Sequence, residues 1–177
     1  VLSTSTGRLY FTKEGNDNAA VPFERIDSGL SAFCEFEGLA FDTDRRLLLL
    51  PCKMIRKGQA DAGLKVYAWS VDNQARSPDQ DFEVSQKDMD RVTGKKRYPA
   101  AGIAIDPASG KCFLISAQRA FVLEVDPRTA LLTAAPLPSE FKHQQTEGIE
   151  MDKQGRIFLA DEGQQGRARL AIYQVTR

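Results

Sequence analysis

Four glutamates recur at matching places along this chain, and a gathering of carboxylates is the chemistry its sequence offers. Glu37 and Glu147 each open a Glu-Gly-apolar stretch, Glu37-Gly38-Leu39 and Glu147-Gly148-Ile149. Glu14 and Glu162 each close a hydrophobic segment, in Lys13-Glu14-Gly15 and Asp161-Glu162-Gly163. Aligned by sequence, Cys52 and Ala117 take the place of Glu14 and Glu162 in the two segments between. Brought to one axis, the four acids would offer Ca²⁺ the oxygen ligands it takes, roughly six to eight at a time. Left without a cation or protons, such a cluster repels itself. The alternative is structural: each Glu caps its own strand or pairs with an Arg or Lys of the neighbouring segment.

Other chemistries find little support. The sequence has one histidine, His143, and no G-x-S-x-G, so a Ser-His-Asp hydrolase is poorly served. H-E-x-x-H, G-x-x-x-x-G-K-[ST] and G-x-G-x-x-G do not occur, and Asp42-Thr43-Asp44 lacks the rest of an EF-hand loop. His143 either faces a central channel or is a loop histidine making an ordinary hydrogen bond. The three cysteines, Cys34, Cys52 and Cys112, are irregularly spaced and contain no C-x-x-C, which argues against a zinc site and a disulfide framework. They read as three buried thiols, with room for one pair to bridge.

The elements that must position the acids come from a repeat. Glu37 to Asp42, Ala101 to Asp106 and Glu147 to Asp152 share the order small-or-Glu, Gly, apolar, any, apolar, Asp. After a short turn, each leads into a hydrophobic strand: Leu47–Leu50, Cys112–Ile115 and Arg156–Ala160. Gly7-Arg8-Leu9-Tyr10-Phe11 repeats the second half of the last unit, so the chain is expected to begin inside a unit, its first strand missing. Short strands recurring at roughly 45 residues mark propeller blades. Third strands are expected at Leu64–Trp69, Ala120–Val125 and Arg169–Val175, and fourth strands at Phe82–Val84 and Leu131–Ala134. A polar insertion over 72–97 lengthens the second unit. Within it Ser85, Asp88, Met89 and Val92 predict a capped short helix. The basic residues Arg91, Lys95, Lys96 and Arg97 that follow read as an anion or acidic-partner patch, or as a solvated loop. The glycine behind each first position would let inner strands crowd together, and the Asp would close its hairpin on the backbone.

The expected fold is therefore all-β: a single β-propeller domain over 1–177, about four blades of a six-bladed whole, the first incomplete. Open edges would then lie at Arg8–Thr12 and near Arg169–Val175. Composition agrees with a globular domain. Of 177 residues, 42% are hydrophobic and 27% charged, and 24 basic residues balance 24 acidic ones. A zero net charge excludes the cationic field of nonspecific nucleic-acid binding, so no nucleic-acid partner is expected. The longest apolar run, Leu47 to Leu50, falls far short of the roughly 20 residues of a membrane span.

Three stretches in order resemble the SdiA-regulated β-propeller family of bacteria, also known as YjiK/CarP-like. They are Phe36-Glu37-Gly38-Leu39-Ala40-Phe41-Asp42 with Leu47–Leu50 and Cys52-Lys53, then Tyr98 to Pro107, then Gln145-Thr146-Glu147-Gly148-Ile149 with Gly155 to Gly163. Ala100-Ala101 and Thr146 depart from the residues usual in that family. The resemblance implies a location in the bacterial cell envelope, periplasmic or attached to the inner membrane, and further blades beyond those here. It also implies a link to calcium, with Glu37, Glu147, Glu162 and Glu14 as the candidate ligands. Three functions follow: a noncatalytic module that binds a small ligand or an envelope protein, a calcium-dependent phytase-like phosphoesterase, or a lactonase-like hydrolase with a channel-bound metal.

Overall fold

Apolar residues come in short runs bounded by Asp, Gly and Pro, a pattern that makes strands and turns rather than helices. The computed structural model describes residues 1–59, 62–137, 143, 145–163 and 166–174. Among the described residues four antiparallel sheets follow one another. The first contains β1 (Leu2–Ser3), β2 (Arg8–Thr12) and β3 (Phe23–Asp27), in that spatial order. In the second, β4 (Cys34–Phe36) and β5 (Ala40–Asp42) both pair with the long β6 (Leu47–Ile55). Beside β6 runs β7 (Leu64–Ser70), which carries β8 (Ala75–Arg76) and β9 (Phe82–Val84) on its far side. The third is a plain meander of β10 (Gly102–Ile105), β11 (Cys112–Ser116), β12 (Arg119–Val125) and β13 (Leu132–Pro136). The fourth contains β14 (Thr146–Met151), β15 (Arg156–Asp161) and β16 (Arg169–Gln174).

The repeat thus folds as expected, with two corrections at its start. A first strand is present in the first sheet, if only as Leu2 and Ser3 opposite Tyr10 and Leu9. Arg8–Thr12 is accordingly no open edge, since β2 lies between β1 and β3. At the other end β16 is the last strand of its sheet, and Val175 lies outside the described residues.

Three apolar layers fill the spaces between consecutive sheets. The Leu47–Leu50 run shows why. In a strand successive side chains point to opposite faces, so Leu48 and Leu50 join Leu9, Phe36, Tyr67 and Trp69 on one side. Leu47 and Leu49 join Val66, Ile103, Leu114 and Leu123 on the other. A strand covered on both faces has no polar face to show, hence an unbroken leucine run. Ile115, Ile149, Met151, Ile157 and Leu159 make the third layer.

The expected hairpin chemistry holds in the second, third and fourth units. Asp42 accepts from the backbone N–H groups of Asp44 and Arg45 at 3.1 and 2.9 Å, and Asp106 from that of Ala108 at 3.0 Å. Asp152 accepts from Gln154 and Arg156 at 3.0 and 2.9 Å. The insertion carries α1 (Gln86–Thr93), whose first turn is capped by Ser85 Oγ accepting from the Asp88 N–H at 3.0 Å. Met89 anchors this helix in the second apolar layer. A side chain at Gly63 would come within 2.8 Å of Met89 Cβ and of the Ser85 carbonyl oxygen, so glycine there lets the insertion lie down on β7.

Candidate functional site

The first strands of consecutive sheets meet backbone to backbone. A Cβ at Gly38 would stand 2.9 Å from the Gly102 Cα and 3.1 Å from the Ala101 carbonyl oxygen. One at Gly102 would stand 3.2 Å from the Glu147 carbonyl oxygen. Gly38 also has φ +80°, in the left-handed region that glycine enters without steric cost. This crowding sets Glu37 and Glu147, the residues just before Gly38 and Gly148, beside Gly102 of β10.

Strand register corrects one equivalence drawn from the sequence. Phe36 pairs with Cys52, and Thr146 pairs with Asp161. Phe36 and Thr146 each precede a repeat glutamate, so Cys52 matches Asp161, and the residue matching Glu162 is Lys53. A cation therefore stands in the second unit where an acid stands in the fourth. The Lys53 ammonium donates to Glu37 Oε1 at 2.5 Å. That bond, followed by the charges of Glu37, Glu35 and Glu147, raises the Lys53 pKa against the opposing cost of desolvation. Across from it the Glu147 carboxyl is raised, first by desolvation and then by the negative charges of Glu162 and Glu37, while Lys53 pulls the other way. Glu37, Glu147 and Glu162 thus share one field with Lys53 at its edge. Glu14 is exposed in the connection between β2 and β3 and is not among the groups that act on Glu147.

The fit to Ca²⁺ is incomplete. Among the described residues no three His, Cys, Asp or Glu side chains stand close enough to hold one ion. Lys53 already occupies one Glu37 oxygen. The acids form a half-open negative patch with an ammonium beside it, rather than a cage of converging oxygens. A cavity of about 910 Å³ between the hairpin turns is lined by Asp42, Asp106 and Asp152 among others. Their oxygens are engaged by their own turns, and by Arg45, Ser109 and Arg156.

His143 belongs to a buried network that its sequence neighbourhood does not announce. Its ring is 3% exposed, and Nδ1 lies 2.8 Å from Asp161 Oδ2. A carboxylate can only accept, so Nδ1 donates to Asp161, and Nε2 lies 2.7 Å from the Tyr173 hydroxyl oxygen. Thr146 Oγ1 donates to Asp161 Oδ1 at 2.7 Å. Thr146 precedes Glu147 and Asp161 precedes Glu162, so this network pins the two strand ends that present those acids. Of the cysteines, Cys34 and Cys52 form a disulfide between β4 and β6, and Cys112 is a buried free thiol.

The sequence model of the SdiA-regulated family matches residues 13–164. No curated protein matches the sequence. Solved structures do share the architecture. A nidogen/laminin complex is 11% identical over 95% of this chain and 58% of that one, with a TM-score of 0.58. The allergen Mala s 1 of Malassezia sympodialis is 14% identical over 98% of this chain and 55% of that one, with a TM-score of 0.60. A luciferin-regenerating enzyme is 15% identical over 91% and 46%, with a TM-score of 0.51. At such identities the likeness shows the fold alone, and that fold is the β-propeller. The chain spans about half the length of these structures.

Proposed function

The chain belongs to the SdiA-regulated family, and from that premise we propose that it is a noncatalytic ligand-binding module of a bacterial cell-envelope propeller. Recognition takes place where the first strands meet, at Glu37, Glu147 and Glu162. The observation that carries this reading is the close approach of Gly38 and the Glu147 carbonyl to Gly102, which gathers these acids; burial and the charges of Glu162 and Glu37 then favour the protonated form of Glu147. A carboxylate held in that field gains from any positive group brought to it. The ligand accordingly presents a cation, as a metal ion or an ammonium group, to Glu147 and Glu162, while Lys53 neutralises Glu37. Among the described residues no three acids converge on one ion, which favours binding over the metal-dependent phosphoesterase and lactonase readings.

Calorimetric titration of the protein with Ca²⁺ and, separately, with a linear diamine tests this. Saturable binding of either cation, weakened in Glu147→Gln at unchanged thermal stability, is the expected result. Absence of binding by both, or equal binding by Glu147→Gln, overturns it.

A further inference from the structure

A second cavity, about 200 Å³ in volume, borders Lys53 and has a basic lining. It is lined by Lys53 of β6, Lys65 of β7, Arg97 at the end of the insertion and Arg119 at the start of β12, together with Tyr98. No Asp or Glu among the described residues lines it. Two blades and the insertion are needed to assemble these cations, and the assembly is specific. The Tyr98 N–H donates to the Gly63 carbonyl at 2.8 Å, and the Gly63 N–H to the Val84 carbonyl at 2.9 Å. The Tyr98 hydroxyl lies 2.8 Å from the Phe121 carbonyl oxygen and 3.1 Å from that of Leu114, both in the third sheet. These bonds return the basic run of the insertion to the interface and set Arg97 on the cavity wall. Lys53 pairs with Glu37, and Lys65 with Glu83 at 3.1 Å, and each ammonium has three donors to place. The Arg119 Nε is buried and has no acceptor among the described residues. A buried donor without an acceptor is costly and signals a missing partner.

We propose that this cavity is a binding site for a compact oxyanion, a phosphate or carboxylate group on a small molecule, with Arg119 and Lys65 as its principal donors. Guanidinium forks match two oxygens of such groups at once, and the lysines add charge. The volume is below the roughly 300 Å³ at which drug-sized pockets begin, so the ligand is small. The site shares Lys53 with the acidic patch, so its test alters Arg119 and Lys65 and leaves Lys53 unchanged.

The intact protein is titrated by calorimetry with inorganic phosphate and with malonate at low chloride, following the Arg119 Nε–H signal by NMR. One or both anions are expected to saturate by about 10 mM and to move that signal. Arg119→Gln is expected to weaken binding about tenfold or more, since it removes a charge-assisted donor. Lys65→Gln serves the same purpose if Arg119→Gln does not fold. Lys95→Gln, on the same basic run but off the cavity wall, should stay within about twofold of the wild type. The arms separate a phosphate from a carboxylate ligand. The proposal falls if neither anion saturates, if Arg119→Gln and Lys65→Gln bind like the wild type, or if Lys95→Gln loses as much as they do.

Discussion

Gly38 and Gly102, the glycines of two consecutive repeat units, approach so closely that a methyl group on the first would lie 2.9 Å from the Cα of the second. No side-chain rotation can relieve a clash with backbone, so Gly38→Ala must separate two blades as well as strain its own φ of +80°. Gly94, which ends α1 at φ +67°, has the same backbone preference with nothing within 4 Å of its missing Cβ. Alanine at Gly94 is expected to cost about 1 kcal/mol, the left-handed penalty alone. Alanine at Gly38 should cost about 3 kcal/mol, because overpacking adds to that penalty. Urea unfolding of the two variants measures the difference, and equal losses would mean that the strands do not crowd.

Glu147 should titrate above its ordinary value of 4.5, because desolvation and the charges of Glu162 and Glu37 all favour its protonated form. The folded protein then holds this proton more tightly than the unfolded chain. The associated stabilisation is complete below the unfolded pKa and is lost as pH rises through the folded one. Glu162→Gln is expected to lower the Glu147 midpoint in an NMR titration of its carboxyl carbon. Glu147→Gln should make stability less sensitive to pH across the same window. A midpoint indifferent to Glu162→Gln would show that the two acids do not share a field.

Local rules made much of this structure legible in advance. The glycine behind each repeat glutamate, the hairpin aspartates and the Ser85 cap all act over a few residues, and each sits where sequence reasoning placed it. The site is less legible in the sequence because its partners come from register. Asp42 itself pairs with Leu47, whereas in the fourth sheet Met151, the residue before Asp152, pairs with Ile157. The two hairpins differ by one residue, and a one-residue offset exchanges neighbouring positions on a strand. Matching the repeats by their aspartates therefore put Cys52, not Lys53, opposite Glu162. The partners of His143 were hidden for a similar reason, since Asp161 and Tyr173 reach it only through strand pairing.

Asp161 is the centre of the buried network, accepting from Thr146 and His143 on different oxygens. Asp161→Ala strands both donors and is expected to destabilise the fold by about 3 kcal/mol. Thr146→Val keeps the shape and removes one bond, at an expected cost of about 1 kcal/mol. Chemical denaturation ranks the two, and the same samples test the positioning role. Asp161→Asn, which preserves packing, should still shift the Glu147 carboxyl signal if the network holds the strand ends that carry Glu147 and Glu162.

The cysteines give a prediction that needs only mass spectrometry. Cys34 and Cys52 are joined, and Cys112 is fully buried in the second apolar layer. Burial pushes the Cys112 thiol up to about 12, so almost none of it is the reactive thiolate at neutral pH. The folded, unreduced protein is expected to take up no iodoacetamide. Unfolding without reductant should expose one site, Cys112, and unfolding with reductant all three cysteines. Two labels on Cys34 and Cys52 before reduction would show that β4 and β6 are not cross-linked. Early labelling of Cys112 would show instead that the interface between the second and third sheets opens far below global unfolding.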